Sequence, residues 1–343
     1  MANLVFRFIK FAVLYSLAGF YGFFVSLFLL GKLCQLRMSF FKKRQGTQVP
    51  ACLQDSSLGD HHYITTKSGH KFHYVAKGNP GKPLMLCLHG FPEFWFSWRF
   101  QLKEFCDDYR VVALDLRGYG DSYQPKGISN YAQHLLVQDV EEVIEALGYS
   151  SCVLLGHDWG GVIAWNFVQR YSEIVDKLVI MNSPHPIIFL KYLRSNWSQF
   201  FRSWYIFLNV LPYLPEVLYS YNDCVFMDDI FVGEAWTDEI KDAFKYSFSK
   251  PGASTAGVNY YRCSLLYGDE PQPWKRKLEK TISMPTLVVW GDKDKALDIS
   301  LLNDLDHYVK NLTVRIVEGA THWVQQDKPD VVNRHVREFL KAC

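Results

Sequence analysis

The fold can be inferred from residues 151–161, SCVLLGHDWGG. The first five residues of this stretch are a short apolar run, which is typical of a strand buried in a parallel sheet. Residues 161–170 then place apolar side chains at helical spacing. Glycines two positions before and two after Asp158 allow the chain to turn sharply between these elements. The stretch therefore predicts a strand, a tight turn that exposes Asp158, and a helix.

The residue at the centre of this turn decides the chemistry. A strand, a Gly-x-nucleophile-x-Gly turn and a helix form the nucleophile elbow of the α/β-hydrolase fold, where the nucleophile is usually serine. Serine needs a base to take its proton, whereas a carboxylate with a pKa near 4 is already ionised at neutral pH. Asp158 could therefore attack a saturated carbon directly and form an ester that an activated water must hydrolyse. The alternative is that Asp158 only caps the next helix, since Asp is a favoured N-cap residue.

Two later segments are candidates for the remaining catalytic side chains, which follow the nucleophile in the order acid, then histidine. A strand predicted over residues 286–290 runs into a loop that contains Asp292 and Asp294. We expect Asp294 to be the acid, with Asp292 as its rival because aspartate is common in turns. His322 follows the last predicted strand and is the expected base, its tautomer fixed by Asp294.

The loop that follows a strand predicted over residues 84–88 reads His89-Gly90-Phe91-Pro92. In this fold one oxyanion donor comes from that loop and the other from the residue after the nucleophile. We therefore expect the backbone N–H groups of Phe91 and Trp159 to form an oxyanion hole for the carbonyl of the Asp158 ester. His89 is an alternative base, but bracing the loop is the more consistent role.

Strands and helices alternate around these motifs, which predicts an α/β fold: a mostly parallel sheet with helices on both faces. The predicted segments are a hairpin over 63–66 and 71–75, strands over 84–88, 111–116, 178–182, 286–290 and 314–317, and helices over 131–147, 299–310 and from Pro329 onward. Residues 186–280 interrupt the alternation, and about a fifth of them are Phe, Tyr or Trp. We interpret them as a helical cap over the carboxyl edge of the sheet, inserted between core segments 59–185 and 281–343.

The N-terminus predicts a membrane anchor over residues 1–31, followed by a basic linker over residues 32–58. Residues 11–31 contain no charged side chain, and about 20 apolar residues span a bilayer. A signal peptide and a buried soluble helix are the alternatives; the former has a shorter apolar region and the latter a polar face. Residues 1–50 hold seven Lys and Arg and no Asp or Glu, most of them after the apolar stretch. We expect a single-pass protein of the endoplasmic reticulum whose catalytic domain faces the cytosol.

Composition argues against several other classes of protein. The net charge of this 343-residue chain is +2, and the part beyond residue 50 holds 30 basic and 35 acidic side chains, which does not indicate a nucleic-acid partner. Eight cysteines without paired spacing predict neither a metal site nor a disulfide framework. We expect no cofactor, no metal and no obligate protein partner.

Taken together, these motifs resemble the α/β-hydrolase-fold epoxide hydrolases over about residues 50–341. With its N-terminal anchor the chain is most similar to their membrane-anchored animal members. The strings that carry the resemblance are HGFPE at 89–93, DLRGYG at 115–120, GHDWGG at 156–161, NSPHP at 182–186, GDKD at 291–294 and THW at 321–323.

The resemblance implies two cap tyrosines that hydrogen-bond the epoxide oxygen, at the positions of Tyr205 and Tyr261. Opening the ring develops an alkoxide, and a neutral phenol can donate to it. Tyr260 is a rival for Tyr261. The implied reaction converts lipophilic epoxides, fatty-acid epoxides among them by analogy, to vicinal diols through an ester on Asp158, with water as the second substrate.

Two other functions use the same fold. A haloalkane or haloacid dehalogenase has the same aspartate nucleophile, but it would want a halide-binding side chain after Gly90, and Phe91 supplies none. A non-catalytic binding protein with a hydrolase fold commonly lacks one of the three catalytic side chains. Here Asp158, Asp294 and His322 are all present and in order.

Overall fold

The computed structural model describes residues 2–44, 48–267 and 281–342. Eight strands form one sheet, and their bounds are β1 (Asp60–Thr65), β2 (Lys71–Lys77), β3 (Leu84–Leu88), β4 (Arg110–Leu114), β5 (Cys152–His157), β6 (Val175–Met181), β7 (Thr286–Gly291) and β8 (Leu312–Val317). The sheet order is β1-β2-β4-β3-β5-β6-β7-β8. The β1–β2 and β2–β4 pairs are antiparallel and all other pairs are parallel, which confirms the predicted mostly parallel sheet.

Helices cover the two faces of the sheet and build the cap. In chain order they are α1 (Ala2–Leu36), α2 (Arg99–Phe105), α3 (Gln133–Ala146), α4 (Trp159–Arg170), α5 (Pro186–Ser195), α6 (Trp197–Arg202), α7 (Trp204–Leu208), α8 (Leu214–Cys224), α9 (Phe226–Ile230), α10 (Asp238–Phe248), α11 (Ala253–Tyr267), α12 (Val324–Asp327) and α13 (Pro329–Ala342). The cap consists of α5 to α11, and residues 268–280 of the expected cap lie outside the described residues.

The register of the parallel strands brings the site together. β3, β5 and β7 are buried along their whole length, because helices cover both faces of the sheet at these strands. Leu88 at the end of β3 pairs with Gly156 near the end of β5. Met181 at the end of β6 pairs with His157 on one side and Val289 on the other. The loops that follow β3, β5, β6 and β7 therefore leave one edge of the sheet as neighbours, where ligands bind in such folds.

One predicted element was wrong. Residues 299–310 do not form an α-helix but two short 3-10 turns, Ile299–Leu302 and Leu305–His307. Asn303 between them is extended, and Asp304 has a left-handed backbone with φ of 64°. A left-handed residue cannot continue a right-handed helix, so the helical path ends after one turn.

The N-terminal segment is more ordered than expected. α1 continues to Leu36, five residues past the predicted end of the anchor, and is long and apolar enough to cross a membrane. Within the segment expected to be a linker, Phe40, Leu53 and Leu58 are buried in the main hydrophobic core. Residues 37–58 therefore pack against the body of the protein where the structure describes them.

Candidate active site

The elbow after β5 holds Asp158 in a strained backbone conformation. Its φ is 48° and its ψ is −118°, a region of backbone conformation that residues other than glycine rarely adopt. A Cβ atom on Gly160 would collide with the carbonyl of Leu88, and one on Gly90 with the side chain of Asp158. Asp158 occupies the N-cap position of α4, but its side chain accepts no capping hydrogen bond. The tight packing of the two loops thus presents the carboxylate away from the helix, with 14% of the side chain exposed.

The loop after β3 reaches one oxygen of this carboxylate. The backbone N–H of Phe91 donates a hydrogen bond of 2.8 Å to Asp158 Oδ1. Trp159 is the first residue of α4, where backbone N–H groups have no acceptor within the helix. His89 Nε2 accepts from the N–H of Leu116 at 3.1 Å, and its Nδ1 lies 2.8 Å from the carbonyl of Gly90. Both ring nitrogens of His89 are therefore engaged in bracing the loop.

His322 lies between the two predicted carboxylates. Its Nε2 is 3.5 Å from Asp158 Oδ2, and its Nδ1 is 2.7 Å from Asp294 Oδ2. Asp294 is held in turn by Asn182 Nδ2 at 2.7 Å and by the backbone N–H of Leu297 at 2.9 Å. The structure thus places the three side chains in the order carboxylate, imidazole, carboxylate.

The rival acid has different surroundings. Asp292 accepts from the N–H of Gly319 at 2.6 Å and pairs with Lys293 at 2.9 Å. These contacts tie it to the turn that follows β8, so it serves the loop rather than the imidazole.

In this cluster the interactions between charged groups outweigh the effect of burial on the pKa values. Burial lowers the pKa of His322, but Asp294 and Asp158 outweigh burial and raise that pKa well above its usual value. Burial opposes ionisation of Asp294, yet His322 and the hydrogen bonds from Asn182 and Leu297 hold its pKa below the usual range. The imidazole therefore carries a proton more readily while both carboxylates are charged.

The two predicted cap tyrosines lie beside each other above this edge of the sheet. Tyr261 on α11 packs edge-on against Phe91 and Trp159, with ring centroids 5.4 and 5.0 Å away. Tyr205 on α7 lies 5.9 Å from Tyr261 between ring centroids. Burial and the nearby Asp158 carboxylate raise the pKa of both phenols well above the usual value. Both tyrosines are thus neutral hydrogen-bond donors.

The rival tyrosine has a structural partner. The hydroxyl of Tyr260 donates to the backbone carbonyl of Arg117 at 2.7 Å. Arg117 itself pairs with Asp139 through two hydrogen bonds of 2.6 Å, so it anchors a loop. Tyr260 therefore fastens α11 to the core.

A second buried acid–histidine pair was not predicted. His157 Nδ1 lies 2.6 Å from Glu93 Oε2, and its Nε2 lies 2.9 Å from the backbone carbonyl of His322. Glu93 also accepts from the N–H of Gly90 at 2.9 Å. Burial raises the pKa of Glu93, but His157 and the N–H donors outweigh it and lower the pKa to about 2. The signal in the sequence was a glutamate directly after the apolar Gly90–Pro92 turn and a histidine directly before the nucleophile.

Comparisons with known proteins agree with this geometry. The family model for the alpha/beta hydrolase fold matches residues 83–329. Human epoxide hydrolase 4 is 43% identical over 314 residues, which cover 88% of this chain and 84% of the human protein. Epoxide hydrolase 1 of Caenorhabditis elegans is 42% identical, with 96% of this chain and 81% of that protein covered.

Solved structures extend the agreement from sequence to fold. The crystal structure of a Bacillus megaterium epoxide hydrolase in complex with an inhibitor superposes with a TM-score of 0.74 at 34% identity, and covers 82% of this chain and 100% of that one. These relatives support the epoxide interpretation and neither of the two alternatives. The chain belongs to the epoxide hydrolase family of α/β-hydrolase-fold enzymes.

Proposed function

We propose that this enzyme converts lipophilic epoxides to vicinal diols through a covalent ester on Asp158. The main support for the proposal is that the two oxygens of the Asp158 carboxylate have different neighbours. Its Oδ1 accepts from the Phe91 N–H at 2.8 Å, while its Oδ2 lies 3.5 Å from His322 Nε2. Oδ1 thus lies beside a donor that can stabilise the carbonyl oxygen of an ester, and Oδ2 is the oxygen that can attack a substrate.

In the first step Asp158 Oδ2 attacks an epoxide carbon, and the bond between that carbon and the ring oxygen breaks. Negative charge develops on the ring oxygen, and Tyr205 and Tyr261 donate hydrogen bonds to it. One of the two phenols transfers its proton to this oxygen and becomes a phenolate. Their raised pKa values support this role because both phenols stay protonated until the alkoxide forms. The product of the step is an ester between Asp158 and the substrate.

In the second step His322 acts as the base. Ester formation removes the negative charge of Asp158, which is one of the two charges that raise the His322 pKa. The ring then gives up its proton more readily, and this proton restores the phenol. The neutral ring takes a proton from water, while Asp294 keeps its orientation. The hydroxide attacks the ester carbonyl, and the N–H groups of Phe91 and Trp159 stabilise the oxyanion. The bond between the carbonyl carbon and the ester oxygen then breaks, and the carboxyl proton passes to that oxygen. The diol leaves, the Asp158 carboxylate is restored and His322 is again protonated.

The substrate class and the cellular location are parts of the same proposal. Aromatic rings around Tyr205 and Tyr261 and the apolar helix α1 support lipophilic substrates, with fatty-acid epoxides as the first class to assay. Basic residues after the apolar stretch support a single-pass protein of the endoplasmic reticulum with residues 59–343, core and cap, in the cytosol. Protease digestion of the body in intact, sealed microsomes would support this topology, and protection of the body would contradict it.

A labelled epoxide tests the covalent mechanism. After incubation and digestion, label is expected on the peptide that contains Asp158 in the wild type. Asp158→Ala should form neither ester nor diol, and His322→Gln should accumulate the ester while diol release falls by about 10³-fold or more. Diol formation by Asp158→Ala at the wild-type rate, or wild-type turnover by His322→Gln, would refute the mechanism.

A further inference from the structure

Helix α1 packs along the cap instead of standing free of it. Leu14 and Ala18 are buried in a cluster with Phe207 and Val210, the latter two from the cap. Tyr21 stacks on Phe207 with ring centroids 6.2 Å apart and an interplanar angle of 9°. Further along α1, Leu29 is buried in the main core. The contact thus runs through the middle of the charge-free stretch of the chain.

The cap surface beside this contact is aromatic and exposed. We use the name lipid face for the side chains of Trp197, Phe201 and Trp204, which are 75%, 61% and 39% exposed. Rings connect this face to α1: Trp197 lies 6.0 Å from Phe200 between centroids, and Phe200 lies 5.6 Å from Phe207, the residue that stacks on α1. Trp197 and Phe201 also stack on each other, with ring centroids 6.0 Å apart. Exposed aromatic side chains that are grouped in this way are unfavourable in water and mark a surface that meets another phase or partner.

The position of α1 determines what that partner is. At a rise of about 1.5 Å per residue, residues 14–29 cover about 22 Å of a hydrocarbon layer roughly 30 Å thick. A contact of this length does not fit a fully spanning α1 with the cap in the cytosol, because the cap would then lie inside the hydrocarbon layer. With the contact kept, α1 lies along the cytosolic leaflet, and the cap residues beside it rest on the membrane surface. This placement brings the lipid face to lipid.

The surroundings of the lipid face suit an interface between lipid and water. Arg194 on α5 is exposed, and Arg202 at the end of α6 is partly exposed and pairs with Asp298 at 3.5 Å. The exposed Arg194 side chain can reach lipid phosphates, and tryptophan is enriched at this depth of a membrane. Arg202 also donates to the backbone carbonyl of Asp294. The lipid face is therefore fixed to the catalytic core and not carried on a free loop.

We propose that the lipid face is a second membrane contact, which inserts Trp197, Phe201 and Trp204 into the phospholipid leaflet next to α1. The partner is the bilayer itself. Trp204 lies 6.2 Å from Tyr205 between ring centroids, so the contact also brings the cap side of the site close to dissolved lipophilic substrate. This last consequence rests on the proposed function, whereas the contact itself does not.

A fluorescent label in the full-length protein tests the contact. Cys34, the exposed cysteine among the described residues, and Cys343 are replaced by Ser, and Phe201→Cys is labelled with the environment-sensitive dye NBD. Ile316→Cys is the matched control, because Ile316 is 52% exposed on edge strand β8. The protein that carries only the two Cys→Ser replacements is treated with the dye in the same way, and its fluorescence gives the background from the remaining cysteines. Each protein is reconstituted into phosphatidylcholine–phosphatidylserine vesicles that contain nitroxide-labelled lipid.

NBD at residue 201 is expected to emit at shorter wavelength and to be quenched severalfold more by the nitroxide lipid than NBD at residue 316. Trp197→Cys should behave like Phe201→Cys and provides a second position if the first variant folds poorly. Equal, weak quenching at 201 and 316 would overturn the proposal. Shielding of residue 201 that depends on protein concentration without lipid quenching would overturn it too, since that result indicates a protein partner. None of these readings depends on catalytic activity.

Discussion

Tyr260 and Tyr261 are consecutive residues of α11, yet their side chains serve different surroundings. Neighbours on a helix point about 100° apart, so only one of the two can face the carboxylate edge of the sheet. Both rings contact Trp159, but the hydroxyl of Tyr260 donates to the core at Arg117, while the ring of Tyr261 contacts Phe91 and Tyr205. The sequence alone could not decide which of the two tyrosines faces the site, because the direction of each side chain depends on how the cap packs on the core.

This difference gives a matched pair of variants. Tyr261→Phe removes one donor to the developing alkoxide, and we expect a fall in kcat of about 10²-fold, the usual cost of one donor in an oxyanion-type site. Tyr260→Phe removes the hydrogen bond to Arg117 and should lower stability by about 1 kcal/mol, with activity per folded molecule near that of the wild type. Steady-state kinetics and thermal melting of both variants separate the effects. A larger kinetic loss in Tyr260→Phe than in Tyr261→Phe would show that the two roles are exchanged.

Asp294 can be tested through the proton on His322. Its carboxylate raises the pKa of His322, so Asp294→Asn should lower that pKa. Ester hydrolysis needs the neutral ring, and its acidic limb should therefore move to lower pH. At the same time the ring loses its orienting partner, and hydrolysis should slow by as much as about 10⁴-fold while ester formation continues. Intact-protein mass spectrometry of ester decay across pH measures both effects. Asp292→Asn is the control and should decay as the wild type does.

Among the strands and helices, those whose bounds depend on the local pattern of apolar residues were predicted correctly from the sequence. The buried strands β3 and β7 were predicted within one residue of their observed bounds, because parallel strands covered on both faces are continuous apolar runs. The helix predicted over residues 299–310 failed, since Asp304 adopts a left-handed backbone that periodicity does not reveal. The link from Glu93 through His157 to the His322 loop was also missed, because it joins residues far apart in the chain that only the sheet brings together.

This link predicts how stability depends on pH. The folded pKa of Glu93 is about 2, below the 4.5 expected in the unfolded chain. Its contribution is therefore fully present above pH 4.5 and is lost as the pH falls toward 2, by about 1.4 kcal/mol per pH unit, for a total on the order of 3 kcal/mol. Glu93→Gln should lose that contribution at neutral pH and show a flatter profile below pH 4.5. Urea unfolding in detergent at several pH values measures it.

The control for this experiment is Glu234→Gln, which changes an exposed carboxylate on the cap. It should keep both the neutral-pH stability and the slope of the wild type. A Glu93→Gln protein whose free energy of unfolding falls with acid as steeply as the wild type would show that another group carries the dependence.

Within the whole fold, the predicted site residues meet because adjacent parallel strands end at one edge of the sheet. The position of each residue after its strand was visible in the sequence, which is why the proximity of Asp158, Asp294 and His322 could be predicted. The packing of α1 on the cap could not be predicted from the sequence. A helix that is apolar on all sides fits lipid and a protein surface equally well, and the pattern does not say which of its faces meets the protein.

Two glycines of α1 test that packing. A side chain on Gly22 would press on Leu211 of the cap, whereas one on Gly19 meets open space. Gly22→Phe should therefore lower the free energy of unfolding by about 1 to 3 kcal/mol, a fall of a few degrees in the melting temperature of the detergent-solubilised protein. Gly19→Phe adds the same apolar side chain to the same helix and gains the same helix propensity, so it should melt at or slightly above the wild-type temperature. Equal melting of the two variants would mean that α1 does not pack on the cap. The lipid face would then lose the contact that sets its depth in the membrane, even if α1 still binds the bilayer.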